Sequence, residues 1–145
     1  MNSKLLIVLV LVTAALVLWY YRKNPLSAKI EIGGNRYTVE VAVTAAEKAK
    51  GLSFRDSMPA DHGMIFLYDH KDFYEFWMNG MRFSLDFIWL DGNTIVDITQ
   101  NVQIPSGATM PIIKPALQAD KILELNAGVV ARDGIKIGET VKFLN

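Results

Sequence analysis

The sequence predicts a mainly β protein, a small β-sandwich or partly closed barrel with one or two short helices, preceded by an N-terminal transmembrane helix. Three observations carry this. A charge-free apolar run of 17 residues, Leu5 to Tyr21, opens the chain. From Lys29 onward the apolar stretches have strand length and are rich in aromatic and β-branched residues, which suit a pleated, half-buried surface. Gly, Asn, Asp and Pro recur between those stretches, as turns in a small sandwich or barrel require. At 145 residues, and with the apolar terminus set aside, the rest is one domain in size.

The N-terminal run divides the chain into a tail at 1–4, a transmembrane anchor at 5–21, a linker at 22–28 and a β domain at 29–145. As a helix the run spans roughly 25 Å at about 1.5 Å per residue, enough for a thin bilayer. Its apolarity covers every face rather than one stripe, which favours a span over a core helix. Trp19, Tyr20 and Tyr21 fall where an aromatic belt belongs, with Arg22 and Lys23 at headgroup depth. A cleaved signal peptide is the rival. Its best site would follow Ala28 and put Leu26 where a small residue is wanted, so an uncleaved anchor is expected, with secretion after cleavage as the alternative. Lys4 and the α-amino group nearly balance Arg22 and Lys23. A short tail before the first apolar segment resembles a signal-anchor, which places the domain outside the cytoplasm.

Within the domain, Lys29–Ile32 and Arg36–Val43 read as two strands joined at Gly33-Gly34-Asn35, with Tyr37, Val39, Val41 and Val43 alternating onto one face. Thr44 to Glu47 has capping-box spacing and predicts a short helix ending near Gly51. Further strands are expected at Met64–Tyr68, Phe73–Met78, Leu85–Leu90, Thr94–Val102, Lys121–Asn126 and Thr140–Leu144, about eight in all. Asp91-Gly92 marks a hairpin. Gln103 to Pro115 holds Pro105, Pro111 and Pro115 and is expected to be an irregular loop.

Composition excludes several functions. From Ala28 onward there are 12 basic and 15 acidic residues, a net charge of −3, which gives no footprint for nucleic acid. The absence of cysteine rules out disulfides, thiolate metal sites and a cysteine nucleophile. No P-loop, dinucleotide-binding glycine pattern, Gly-x-Ser-x-Gly elbow or His-Glu-x-x-His occurs. His62 and His70 stand beside Asp61, Asp69 and Asp72 and could form a carboxylate–imidazole metal site, but read better as solvated loop residues. Met58, Met64, Met78, Met81 and Met110 invite a copper(I) reading, against which core packing is the plainer one. No metal site and no cofactor is assigned.

Several segments together resemble the bacterial and archaeal family named as domain of unknown function 192. They are Glu47 with Gly51-Leu52-Ser53-Phe54-Arg55, then Gly63-Met64-Ile65-Phe66, Phe76-Trp77-Met78, Leu85-Asp86-Phe87-Ile88, and Leu123-Glu124-Leu125-Asn126-Ala127-Gly128 with Ile137-Gly138-Glu139. The resemblance covers about Lys29 to Leu144 and implies a compact β fold, often behind an export or anchor segment, without an established activity. The chain departs from the family at Asn79, where lysine is common, and at Ser84, where proline is common.

Single charges embedded in apolar segments are the most informative candidates, because burying one alone costs several kcal/mol and demands a partner or a pocket rim. Arg55, Asp86 and Glu124 are expected to meet at or beside a groove flanked by Trp77 and the proline-rich loop, with Asn79 among the candidate binding residues. A structural ion pair is the plainer reading of the trio, and a ligand or catalytic site the alternative. One arginine facing two carboxylates would leave a negative charge for solvent, a cation or a ligand to compensate. Glu75 should be solvent-exposed, opposite Tyr74, Phe76 and Met78. Of the aromatics, Trp77 is the one expected at the surface. The preferred reading is a membrane-anchored, extracytoplasmic binding or accessory module of the cell envelope, its partner an unknown envelope protein or small ligand and not nucleic acid. The alternatives are an envelope enzyme of hydrolase type using Asp86 or Glu124 as acid or base, and a low-affinity metal-binding protein. No catalytic residue is assigned.

Overall fold

The computed structural model describes residues 3–23, 25–107 and 110–144, with side chains of the first helix as far as Val17. That helix, α1 (Ser3–Lys23), forms where the apolar run predicts one. Among the described residues, however, no helix is long and apolar enough to cross a membrane, so the expected transmembrane span at 5–21 is found only as an apolar helix. Two antiparallel strands follow, β1 (Ser27–Ile32) and β2 (Asn35–Ala42). Gly33 and Gly34 turn between them with φ of 55° and 86°, the left-handed region that a tight hairpin needs and glycine enters at no steric cost.

The short helix α2 (Ala45–Lys50) has the expected capping box. The Thr44 hydroxyl accepts from the Glu47 N–H, and the Glu47 carboxylate accepts from the Thr44 N–H at 2.9 Å. Six residues are too few to hold a helix in water alone, so this cap and the Gly51 N–H donating to the Glu47 carbonyl define it. The remaining elements are β3 (His62–Asp72), β4 (Leu85–Asp91), β5 (Thr94–Val102), β6 (Ala119–Asn126), α3 (Val129–Asp133) and β7 (Lys142–Leu144). Asp91-Gly92 turns β4 into β5 as expected.

The seven strands form one sheet in the order β5-β4-β6-β3-β2-β1-β7, with β2 and β3 parallel and the other neighbours antiparallel. Its two edges are drawn together by the last segment of the chain. Lys142–Leu144 pairs with β1, while Thr140 bridges Thr94 at the start of β5 and the Val141 N–H donates to the Asn93 carbonyl at 2.8 Å. The sheet is thus a partly closed barrel. Ile30, Ile32, Tyr37, Val39, Ile65, Ile88, Leu90, Leu123 and Leu125 fill its interior with α3 residues Val129 and Val130. A second core, built on Phe66, Phe87, Trp89 and Ile122, lies on the outer face of β3, β6 and β4, beneath Phe76, Met78, Met81 and Ile113.

One expected strand is absent. Residues 73–78 make no ladder: an isolated bridge joins Phe76 to Ile113 of the proline-rich loop, and the Phe76 ring packs on Phe66, Phe87 and Trp89 of the sheet. Their period-two alternation is nevertheless real, since Phe76 and Met78 are buried while Glu75 and Trp77 are exposed. The segment is a cover over the outer core, and a cover strip in extended conformation buries alternate side chains just as a strand does.

Candidate functional site

The site grows from one row of side chains on the outer face. Register places Glu40 of β2 beside Met64 of β3, Met64 beside Glu124 of β6, and Glu124 beside Phe87 of β4. Next to this row β3 and β6 approach closely at Gly63, where an added Cβ would lie 2.5 Å from the Glu124 carbonyl oxygen and 2.7 Å from the Leu125 side chain. Arg55 bridges over the row. Its two terminal nitrogens donate to the two carboxylate oxygens of Glu40, Nη2 to Oε2 at 2.8 Å, a fork geometry that only arginine offers.

The loop carrying Arg55 is fastened to residues 79–80. The Ser53 hydroxyl donates to the Asn79 carbonyl at 2.8 Å, and the Phe54 N–H donates to the Gly80 carbonyl at 2.7 Å. Phe54 has φ of 66° and is 68% exposed. A bulky residue held in the left-handed region costs free energy that the fold must offset. Its ring lies over Gly80, where an added Cβ would come within 2.7 Å of it.

Between α2, this loop and the 75–81 strip lies a cavity of about 320 Å³. Phe66, Phe76, Trp77 and Tyr68 supply aromatic wall, Lys48, Lys50 and Glu75 supply charge, and Glu124 opens into it. Glu124 is 5% exposed. Burial pushes its carboxyl up to about 8, with the Arg55 charge acting in the opposite direction and failing to offset it. This ordering follows from commitment: Arg55 hydrogen-bonds Glu40 and reaches Glu124 only as a charge at a distance. Burial, with the neighbouring Tyr74 and Glu124, also pushes the Tyr68 hydroxyl up to about 12. The Lys48 ammonium lies 4.0 Å from the Tyr68 ring centroid, and Tyr74 stacks on Tyr68 with centroids 3.6 Å apart.

Of the residues singled out in the sequence, Arg55 and Glu124 come near enough for their charges to interact, and Trp77, 52% exposed, lines the cavity with Glu124. Asp86 does not join them. It is fully buried on the inner face, where its two carboxylate oxygens accept from the Asn101 N–H at 2.7 Å and the Val130 N–H at 2.9 Å. The expected cluster of Arg55, Asp86 and Glu124 is corrected accordingly: the second carboxylate is Glu40. Asn79 meets the loop through its carbonyl, with its side chain exposed and outside the cavity wall. The proline-rich loop reaches Phe76 through Ile113 without lining the cavity; its residues 108–109 lie outside the described residues.

Glu40 was missed because it sits in Tyr37-Thr38-Val39-Glu40-Val41, where alternation reads as polar-out. The signal that could have found it is the polar face of a strand whose partner strands carry polar residues too. Among the described residues no group of three acidic or histidine side chains is placed to hold a metal ion. Met64, Met78 and Met81 are buried in the outer core.

Comparison with known proteins places the chain among relatives of the same fold. The family DUF192, described as Uncharacterized ACR, matches over residues 28–143. A crystal structure of a proposed transcription regulator from Sinorhizobium meliloti is 29% identical, superposes with a TM-score of 0.75, and shares 82% of this chain and 95% of its own. A protein of unknown function from Novosphingobium aromaticivorans is 34% identical, with a TM-score of 0.69, covering 80% of this chain and 84% of its own. No curated protein matches.

Proposed function

Because this chain belongs to the DUF192 family, whose description names no activity, we propose from its own geometry that it is a membrane-anchored, extracytoplasmic module that binds a small amphiphilic ligand in the cavity between α2 and the 75–81 strip. The observation that carries the reading is Glu124: a buried carboxyl, its pKa raised by burial, opening into a cavity whose wall is aromatic and whose other charges are Lys48, Lys50 and Glu75. The Glu124 carboxyl borders the cavity, so a ligand there can supply the hydrogen-bond partner that a polar group with so little exposure ordinarily has. An aromatic wall with few polar groups is the usual make-up of a small-molecule site.

The membrane part of the proposal is supported by α1, whose described apolar side chains from Leu5 to Val17 are exposed, an arrangement costly in water and favourable in lipid. Trp19 to Lys23 in the sequence supply the aromatic and basic residues of an interface. The linker is short, and the Val41 N–H donates to the Leu26 carbonyl at 2.7 Å, so the domain begins directly after α1. Of the enzymatic readings, only the one through Glu124 as a general acid keeps its support, since its raised pKa suits proton donation near neutrality. Asp86 is spoken for by two backbone N–H groups. A net charge of −3 on the domain offers no support for carrying over a nucleic-acid role from the Sinorhizobium neighbour.

Amide chemical-shift mapping with a library of small amphiphilic fragments tests the binding reading. Shifts should gather at Ala45–Ser53 and Glu75–Trp77 and shrink in Trp77→Ala. Shifts scattered over the surface, or none at these segments, would refute it.

A further inference from the structure

The cavity carries a charge pattern that selects among ligands. Along the outer row one guanidinium serves two carboxylates, and it is hydrogen-bonded through both terminal nitrogens to Glu40. Glu124, beyond Met64 in the same row, is 5% exposed and opens into the cavity, and neither the Arg55 fork nor any other described donor satisfies it. Ionised, it would lack one positive charge at hydrogen-bond range. The walls around that position are rings: Phe66 and Phe76 meet edge to face with centroids 5.0 Å apart, and Trp77 stands half exposed at the mouth. Aromatic faces attract cations, and one such contact is already made in the same wall, where the Lys48 ammonium lies over Tyr68.

We propose that the ligand is an organic ammonium compound, its cationic head seated against the Glu124 carboxylate and the aromatic wall and its remainder directed past Trp77. The proposal rests on the cavity being a binding site and names what that site takes. Its chemistry balances through one proton. Glu124 in the neutral form loses its proton to solvent as the ammonium enters, and the carboxylate and the cation form a buried ion pair with Arg55 and Glu40 as the neighbouring neutral pair. The other charged or titratable groups facing Glu124 are Tyr68 below it and Lys48, Lys50 and Glu75 around the cavity. Lys48 and Lys50 oppose a bare cation and would suit a ligand that also carries an anionic group at its outer end.

Isothermal titration of the full chain in detergent, with butyltrimethylammonium, butyrate and butanol as matched probes, tests this. The ammonium probe should bind most tightly, and its affinity should rise about tenfold per pH unit below pH 8, with close to one proton released at pH 7 as judged from buffers of different ionisation enthalpy. Glu124→Gln, which copies the neutral form and so keeps the fold, should abolish both the preference and the proton release, and Trp77→Ala should weaken binding with proton release kept. Tighter binding of butyrate or butanol, or ammonium binding without proton release, overturns the cationic assignment. If the winning neutral or anionic probe still depends on Trp77, the cavity stands as a binding site. If no probe binds and no fragment shifts the cavity amides, both readings fall.

Discussion

Asp86 and Glu124 stand one position out of register on neighbouring strands, Asp86 opposite Leu125 and Phe87 opposite Glu124, and so point to opposite faces of the same sheet. A single step of strand register separates an inner-face carboxylate that joins β4 to β5 and α3 from an outer-face carboxyl that opens into a cavity. Their expected behaviour on substitution therefore differs in kind.

Asp86→Asn should destabilise the fold and leave the cavity alone. An amide keeps one acceptor and turns an NH2 toward the other backbone N–H, losing a charged hydrogen bond and leaving that donor unmatched inside the core. A loss of about 2–4 kcal/mol follows from such bonds, and thermal melting should fall by roughly 10 °C or more. Unchanged melting would show that the two backbone bonds carry no stability.

Glu124 should make stability depend on pH. Its folded pKa, about 8, lies above the ordinary carboxylate value, so the folded state holds its proton more tightly than the unfolded state. The contribution is fully present below the unfolded pKa and is lost as pH rises toward 8, with a slope of at most about 1.4 kcal/mol per pH unit. Denaturant titrations from pH 4 to 9 should show this slope in the native chain and lose it in Glu124→Gln, which should be the more stable of the two at pH 9. Parallel curves for the two proteins would contradict the assignment.

Gly63→Ala tests the closeness of β3 and β6 beside the site. The new methyl would meet the Glu124 carbonyl oxygen, which is backbone and cannot swing aside. Overpacking of this kind costs about 1–3 kcal/mol, and displacement of β6 should shift the amide resonances of the cavity segments. A variant as stable as the native chain, with those resonances unmoved, would mean the strands have room to separate.

Thr44→Ala removes the cap of α2, at about 1 kcal/mol for a residue of this kind. Because α2 forms one wall of the cavity, hydrogen exchange should quicken first at Ala45–Lys50 while the barrel amides stay protected. Uniform acceleration across the domain would indicate that α2 is part of the global folding unit.

Anchoring by α1 predicts that the chain sediments with membranes after carbonate washing, and that protease added to spheroplasts digests the domain. Deleting residues 1–23 should release it to the soluble fraction. Release of the intact chain by carbonate alone would argue against insertion, and protection from protease until lysis would reverse the orientation.

Much of the architecture was legible in the residues because it depends on local rules. Gly33-Gly34 and Asp91-Gly92 are turns by backbone sterics, Thr44 and Glu47 form a capping box by spacing, and period-two alternation set Phe76 and Met78 inward with Glu75 and Trp77 outward. The family resemblance rested on short blocks, of which Leu52, Ser53, Phe66, Phe76, Trp77 and Glu124 come to the cavity while Asp86 goes to the inner face. Residues 73–78 were misread as a strand because alternation reports which side chains are covered and not which backbone groups pair. What only the tertiary structure decided was the identity of the site. Arg55 could have met any carboxylate in the chain, and its partner is Glu40, because the parallel pairing of β2 with β3 and the antiparallel pairing of β3 with β6 put Glu40, Met64 and Glu124 in one row. Asp86, as strongly marked in sequence as Glu124, went to the other face because facing is a property of register between strands distant in sequence, and the burial that raises the Glu124 pKa arises only once β6 is seated between β3 and β4.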